Sequence, residues 1–223
     1  MTFDRPAPGV IVAQPRRGFR YGSEAFWLAG FALEGGPARA AVDLGTGSGV
    51  VAMLLAAQGL DVVGYDVRPE WEACWAETLA RSDARARLSV RDVAEGVPDR
   101  VDLVVTNPPF FPAGSGPAAP HPWRAAARTE SSAGLARFVE VGLEALRPGG
   151  RLCAVVPLDR SIEVERAGER AGASVRRVVT VGRRRALVEL GEPVATVERS
   201  AVSETDPRVR GWYARVAGAA GPA

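Results

Sequence analysis

The chain has no lysine: all 28 of its Lys-plus-Arg positions are arginine. A lysine Schiff base and a P-loop lysine are therefore excluded. It has one histidine, His121, and two cysteines, Cys74 and Cys153. That is too few ligands for a His/Cys metal centre, so no metal is expected. The cysteines stand far apart and outside any CxxC pattern, and read as two buried free thiols. No apolar run approaches the roughly 20 residues that cross a bilayer. Met1 to Pro8 lacks the apolar stretch of a signal peptide, so a cytoplasmic protein without a membrane partner is expected. The net charge is only +2, which excludes a whole-molecule attraction for nucleic acid. Local clusters remain, at Arg16, Arg17 and Arg20 and at Arg183, Arg184 and Arg185.

What is present suits a globular enzyme. Hydrophobic residues make up 47% and charged residues 24% of 223 positions, enough for one core and one domain. The apolar run at 41–45 reads as a buried parallel strand, and 61–66, 87–92, the strongly apolar 101–106 and 151–156 read as further strands. Helical stretches at 50–58, 69–80, 135–146 and 161–171 lie between or after them, and Arg-Pro-Gly-Gly at 147–150 reads as a turn. Two more strands are expected at 174–181 and 185–190. Strands alternating with helices predict an α/β fold with a mostly parallel, doubly wound sheet.

The turn Asp43-Leu44-Gly45-Thr46-Gly47-Ser48-Gly49 joins the first of these strands to a helix. Glycines permit positive φ and close approach of a ligand. The helix beyond offers free N–H groups and a positive dipole end. The spacing is GxGxG, with Val50 following, rather than the GxGxxG of a pyrophosphate fingerprint. That favours S-adenosylmethionine over a dinucleotide. Asp66 ends the next strand, where an acid can accept from both ribose hydroxyls. Asp92 ends the third, where a side chain can reach an adenine amino group. Each acid taken alone is also compatible with a strand-end turn or a helix cap.

Asn107-Pro108-Pro109-Phe110 follows the fourth strand directly. Two prolines fix φ and remove two backbone donors, leaving a stiff shelf of acceptors. The nitrogen of a planar amine has its lone pair delocalised into the ring. The Asn107 side-chain oxygen and the Pro108 carbonyl can take its two hydrogens and expose that lone pair. Phe110 offers a face on which a flipped base can stack. The plain alternative is a proline turn after a core strand.

These motifs together resemble class I S-adenosylmethionine-dependent N-methyltransferases. The branches with NPPF or NPPY act on nucleic-acid adenine N6, on guanine N2 of ribosomal RNA, or on glutamine N5 of release factors. Residues 14–29 resemble the family's upstream motif, with Glu24 where Asp is usual. Ala127-Arg128-Thr129-Glu130 and the tail, with its basic strand 183–190, Thr205-Asp206 and a helix holding Tyr213, are similar to the bacterial tRNA (adenine-37-N6)-methyltransferase group. The release-factor and guanine branches usually carry an extra N-terminal domain, and none is expected here.

The resemblance implies a seven-stranded Rossmann-like sheet with one antiparallel strand near the C-terminus. It implies a single domain over 1–223, with 1–38 as a segment covering cofactor and substrate. Cofactor contacts are implied for Phe19, Tyr21 and Ser23, for Asp43, Gly45, Gly47 and Gly49, and for Asp66, Val67, Asp92, Val93 and Asn107. Asn107, Pro108, Pro109 and Phe110 are the implied catalytic residues. Arg124, Arg128, Arg183 and Arg184 are candidate contacts to the substrate, a nucleic acid, most simply tRNA, handled by a monomer or homodimer. A protein glutamine methyltransferase, a ribosomal RNA guanine-N2 methyltransferase and a non-catalytic cofactor-binding module are the alternatives.

Overall fold

The structure is a computed structural model, described over residues 1–16, 20–109 and 134–218. Its elements run, in chain order, β1 (Thr2–Ala7), β2 (Val10–Gln14), α1 (Ser23–Glu34), β3 (Ala40–Leu44), α2 (Val50–Ala56) and β4 (Asp61–Asp66). There follow α3 (Glu72–Arg81), β5 (Arg87–Val90), β6 (Val101–Thr106), α4 (Leu135–Glu144), β7 (Leu146–Pro157) and α5 (Ser161–Arg170). The last are β8 (Ser174–Val181), β9 (Arg185–Gly191), β10 (Glu198–Val202) and α6 (Pro207–Ala217).

The main sheet has the order β10-β8-β9-β7-β6-β3-β4-β5. All adjacent pairs are parallel except those of β9, which runs against both β7 and β8. The expected α/β architecture with one antiparallel strand near the C-terminus is thus present. Among the described residues the sheet has eight strands rather than seven, because β10 adds to the outer edge of β8. β1 and β2 form a separate antiparallel pair ahead of it.

The chain order and the side-chain alternation of strands explain the layers. Leu103 and Val105 of β6 join a core with residues of α1, α2, α6 and the β1–β2 pair. Val104, between them, faces the opposite core, which holds residues of α4 and α5. Trp71, Cys74 and Trp75 pack with Ala13 of β2, so the first hairpin is fastened along α3. The Thr78 and Ser82 hydroxyls accept from the backbone N–H groups of Ala13 and Ile11, both at 2.9 Å. Cys74 and Cys153 are buried free thiols, as expected.

Two local expectations are corrected. Arg147 to Gly150 are not a turn between helix and strand. They bulge within β7, whose ladder joins Val101 to Leu146 and resumes at Leu103 with Arg151. The expected helix at 69–80 opens as a 3-10 turn at Pro69–Trp71 before α3 begins, as proline at a first turn allows.

Candidate active site at the carboxyl edge of the sheet

In parallel sheets ligands bind beyond the carboxyl ends of the strands. Here β3, β4 and β6 deliver Leu44, Asp66 and Thr106 to one edge. The turn after β3 takes positive φ at three glycines: +74° at Gly45, +53° at Gly47 and +81° at Gly49. A side chain there would be strained whatever the space. Gly49 is also the residue from which α2 begins.

The turn is held from three directions. The N–H groups of Gly45 and Thr46 both donate to the Tyr65 carbonyl at 2.8 Å. The Trp75 indole donates to the Gly47 carbonyl at 2.8 Å. Gly47 N–H donates to Asp66 Oδ2 at 3.0 Å. Gly64 inside β4 is part of the same design, since a Cβ there would lie 2.6 Å from Thr46 Oγ1.

Asp43 is 2% exposed and braces the turn from below. Its Oδ2 accepts from Thr46 Oγ1 at 2.7 Å and from Ala52 N–H at 3.2 Å. Burial pushes its carboxyl up to about 7, opposed by the Thr46 and Ala52 hydrogen bonds, with the nearby Asp66 charge adding to the rise. Asp66 is 5% exposed and binds the Arg68 side chain, with Nε at 3.0 Å from Oδ1. Asp92 precedes a short 3-10 turn at Val93–Glu95 and accepts from Ala94 N–H at 2.9 Å. Val93 is buried in the core, whereas Val67 is 40% exposed. α4 reaches both loops. The Phe138 ring would lie 3.2 Å from a Cβ on Gly45, and Arg137 donates from Nε and Nη2 to the Ala94 carbonyl, each at 3.2 Å.

Asn107 follows β6 directly. Thr106 below it is anchored by its hydroxyl on the Leu44 carbonyl at 2.9 Å, which ties the ends of β6 and β3 together. Asn107 Oδ1 is buried and has no hydrogen-bond partner among the described residues. Buried acceptors are rarely left so, because the loss costs about 1–3 kcal/mol. Pro108 is buried and Pro109 half-buried. A glycine turn of positive φ, strand-end carboxylates and an open amide oxygen fit an adenosyl amino acid cofactor beside an amine.

Tyr21 and Ser23 stand at the entry to α1. They line a groove of about 1060 Å³ with Phe3, Phe26 and Tyr213, and none of Asp43, Gly45, Gly47 or Asp66 is among its described walls. Burial, and then the Asp4 charge, push the Tyr21 hydroxyl up to about 12, so it stays protonated. Glu24 pairs with Arg185 at 3.0 Å, joining the upstream segment to β9. Arg183 and Arg184 are exposed in the β8–β9 turn, on the same sheet edge as Asn107. Phe19, Phe110, Arg124 and Arg128 lie outside the described residues. Arg68, Trp75 and Arg137 escaped sequence reasoning, since no spacing marks a side chain that serves a loop from another element.

Residues 22–178 match the methyltransferase small domain family. Among curated proteins, the chain is 33% identical over 129 residues to the tRNA1(Val) (adenine(37)-N6)-methyltransferase of Porphyromonas gingivalis, covering 53% of this chain and 50% of that protein. It is 31% identical over 166 residues to the Musicola paradisiaca protein of the same name, covering 70% of this chain and 63% of the relative. A shorter match, 41% over 69 residues, is to the ribosomal RNA small subunit methyltransferase C of Alcanivorax borkumensis, covering 31% of this chain and 21% of that one. The matches therefore span from about a fifth to under two thirds of these relatives' own lengths. The fold is similar to that of a predicted O-methyltransferase from Agrobacterium tumefaciens, with TM-score 0.64 at 18% identity over 86% of this chain and 96% of that one. It is also similar to a putative class I S-adenosylmethionine-dependent methyltransferase from Listeria monocytogenes, with TM-score 0.62 at 19% identity over 84% and 67%. The chain belongs to the methyltransferase small domain family of S-adenosylmethionine-dependent enzymes.

Proposed function

We propose that the protein methylates the exocyclic N6 of adenine in tRNA, at an adenine-37 type of position, as a cytoplasmic enzyme of one domain whose segment 1–38 covers cofactor and substrate. The observation that carries this reading is the buried Oδ1 of Asn107 at the end of β6, which has no hydrogen-bond partner among the described residues. It is the side-chain oxygen of the only asparagine in the chain. An acceptor in that state calls for an N–H donor, and an exocyclic amine brings two. The relatives named for tRNA adenine-37 support the choice of base and of nucleic acid.

S-adenosylmethionine supplies an electrophilic methyl group on its sulfonium. This chain's residues do the rest. Asn107 Oδ1 and the Pro108 carbonyl hold the amine's hydrogens, and the proline shelf fixes the direction of its lone pair. Positioning of this kind supplies much of the rate in a transfer between two bound partners. Asp66 binds the ribose and Asp92 the adenine amino group, while the turn from Gly45 to Gly49 takes the amino acid portion. Phe110 stacks the base. Arg183 and Arg184, with Arg124 and Arg128, contact phosphates. Incubation with labelled cofactor and total cellular RNA, DNA and protein tests the reading. Label in N6-methyladenosine of tRNA is expected; label in glutamine, in guanine N2 or in nothing would reject it.

A further inference from the structure

Asp66, assigned above to the ribose, has no acceptor direction left. Its Oδ1 takes Arg68 N–H and Arg68 Nε, both at 3.0 Å. Its Oδ2 takes Gly47 N–H at 3.0 Å and Arg68 Nη2 at 3.3 Å. A carboxylate offers about four lone-pair directions, so these four donors fill it. Two of them are backbone groups built into the strand end and the glycine turn. The other two belong to one side chain that can rotate away.

Two further observations bear on that side chain. The Arg68 guanidinium carbon lies 5.1 Å from the ring centroid of Trp71, a fully buried residue that lends it a face but no acceptor. Its Nη1 is buried and has no hydrogen-bond partner among the described residues. The guanidinium is thus satisfied on its Asp66 side and incomplete on the other. An orphaned N–H is costly, and the charge of Asp66 is what holds the group in place.

We propose that Arg68 competes with the cofactor for Asp66. Without cofactor its guanidinium fills the two acceptor directions that the ribose diol takes, and binding requires it to leave. The proposal rests on the assignment of Asp66 to the ribose. It makes Arg68 a cofactor-affinity residue that opposes binding, which no motif in this chain announces. Before binding, the guanidinium keeps a buried carboxylate paired, and the ligand's two hydroxyls replace those hydrogen bonds without replacing the charge.

Calorimetric titration with S-adenosylhomocysteine tests it. Arg68→Met keeps an unbranched stem over Trp71 and removes every side-chain donor. It is expected to bind about fivefold tighter than wild type, the scale of a partly buried ion pair. Unchanged or weaker binding by a folded Arg68→Met would overturn the proposal. Asp66→Ala, measured alongside, separates the two readings: it is expected to weaken binding, and wild-type affinity there would reject the ribose assignment itself. Should Arg68→Met fail to fold, a crystal structure of the wild-type complex decides. Arg68 Nε and Nη2 must then be off Asp66, and a guanidinium still chelating Asp66 beside a bound ribose would overturn the idea.

Discussion

The two edges of the sheet use polar groups differently. At the amino edge, where β7 and β8 begin and β9 ends, arginines pair buried carboxylates and cap carbonyls, although Arg151 Nε stays buried without a hydrogen-bond partner among the described residues. Glu189, 1% exposed, binds Arg177 at 2.5 Å, and Arg177 reaches Glu34 at 2.9 Å and the Phe31 carbonyl at 2.9 Å. Arg151 grips the last turn of α1 through the carbonyls of Ala32 at 2.9 Å and Gly36 at 2.6 Å, with Pro37 at 3.3 Å. Arg208 joins Glu34 to Glu198, binding α6 and β10 into the same cluster. The forked guanidinium suits this work, since one side chain can serve several acceptors. At the carboxyl edge Asn107 Oδ1 has no hydrogen-bond partner among the described residues, and Arg183 and Arg184 stand in solvent. Arginines brace both edges, Arg68 and Arg185 at the carboxyl edge included; what sets the carboxyl edge apart is a buried side-chain acceptor without a partner among the described residues.

The comparison breaks most sharply at Asn107. Asn107→Ala is expected to lower methyl transfer by about a thousandfold, on the scale of removing one positioned catalytic hydrogen-bond partner. Cofactor affinity should stay within about twofold, and stability should not fall, since the deleted buried acceptor has no partner among the described residues. Near-normal turnover in a single-turnover assay would reject its role. The mirror experiment is Glu189→Gln. It removes the charge that Arg176 and Arg177 both pair with, so about 3 kcal/mol of stability should be lost, read by urea unfolding. The folded fraction should keep wild-type turnover at low temperature. Lost turnover with unchanged stability would erase the division between the edges.

Asp43 tests whether the carboxyl edge carries a cost of its own. Its folded-state pKa of about 7 stands above the ordinary carboxylate value, so the folded protein holds a proton that the unfolded chain releases. Stability from this group is fully present below about pH 4 and is lost as pH rises to about 7. The difference between wild type and Asp43→Asn, followed by urea unfolding from pH 4 to pH 8, should therefore fall with rising pH and then level off. A flat difference would contradict it. The smallest effect is expected at Arg183 and Arg184. Changing both to Ala should leave stability within about 0.5 kcal/mol. The salt dependence of tRNA binding should fall by about one unit of slope for each phosphate that is no longer neutralised. An unchanged slope would remove that turn from the substrate surface.

Much of the sheet was legible because β3, β4, β6 and the second half of β7 carry apolar runs, as buried parallel strands must. β10 was not, since Glu198, Arg199 and Ser200 give an edge strand no apolar signal. The β1–β2 hairpin was not read either, since Pro6 interrupts the strand pattern of β1 and Pro8 stands in the turn after it. In the site, position along the chain revealed the acids and Asn107. It did not reveal what each one touches. Glu24 meets Arg185 across 161 residues, and Arg68 turns back on Asp66 only because the chain enters a 3-10 turn there.

Helix α1 joins the two edges. It has 12 residues, about 18 Å at 1.5 Å per residue. Glu24 fastens one end to β9 and the Arg151–Arg177 cluster fastens the other. A rod pinned at both ends keeps its register against the strands when one fastening is cut. The carboxyl edge therefore keeps its own hold on α1, through Glu24 and Arg185, when an ion pair at the amino edge is lost.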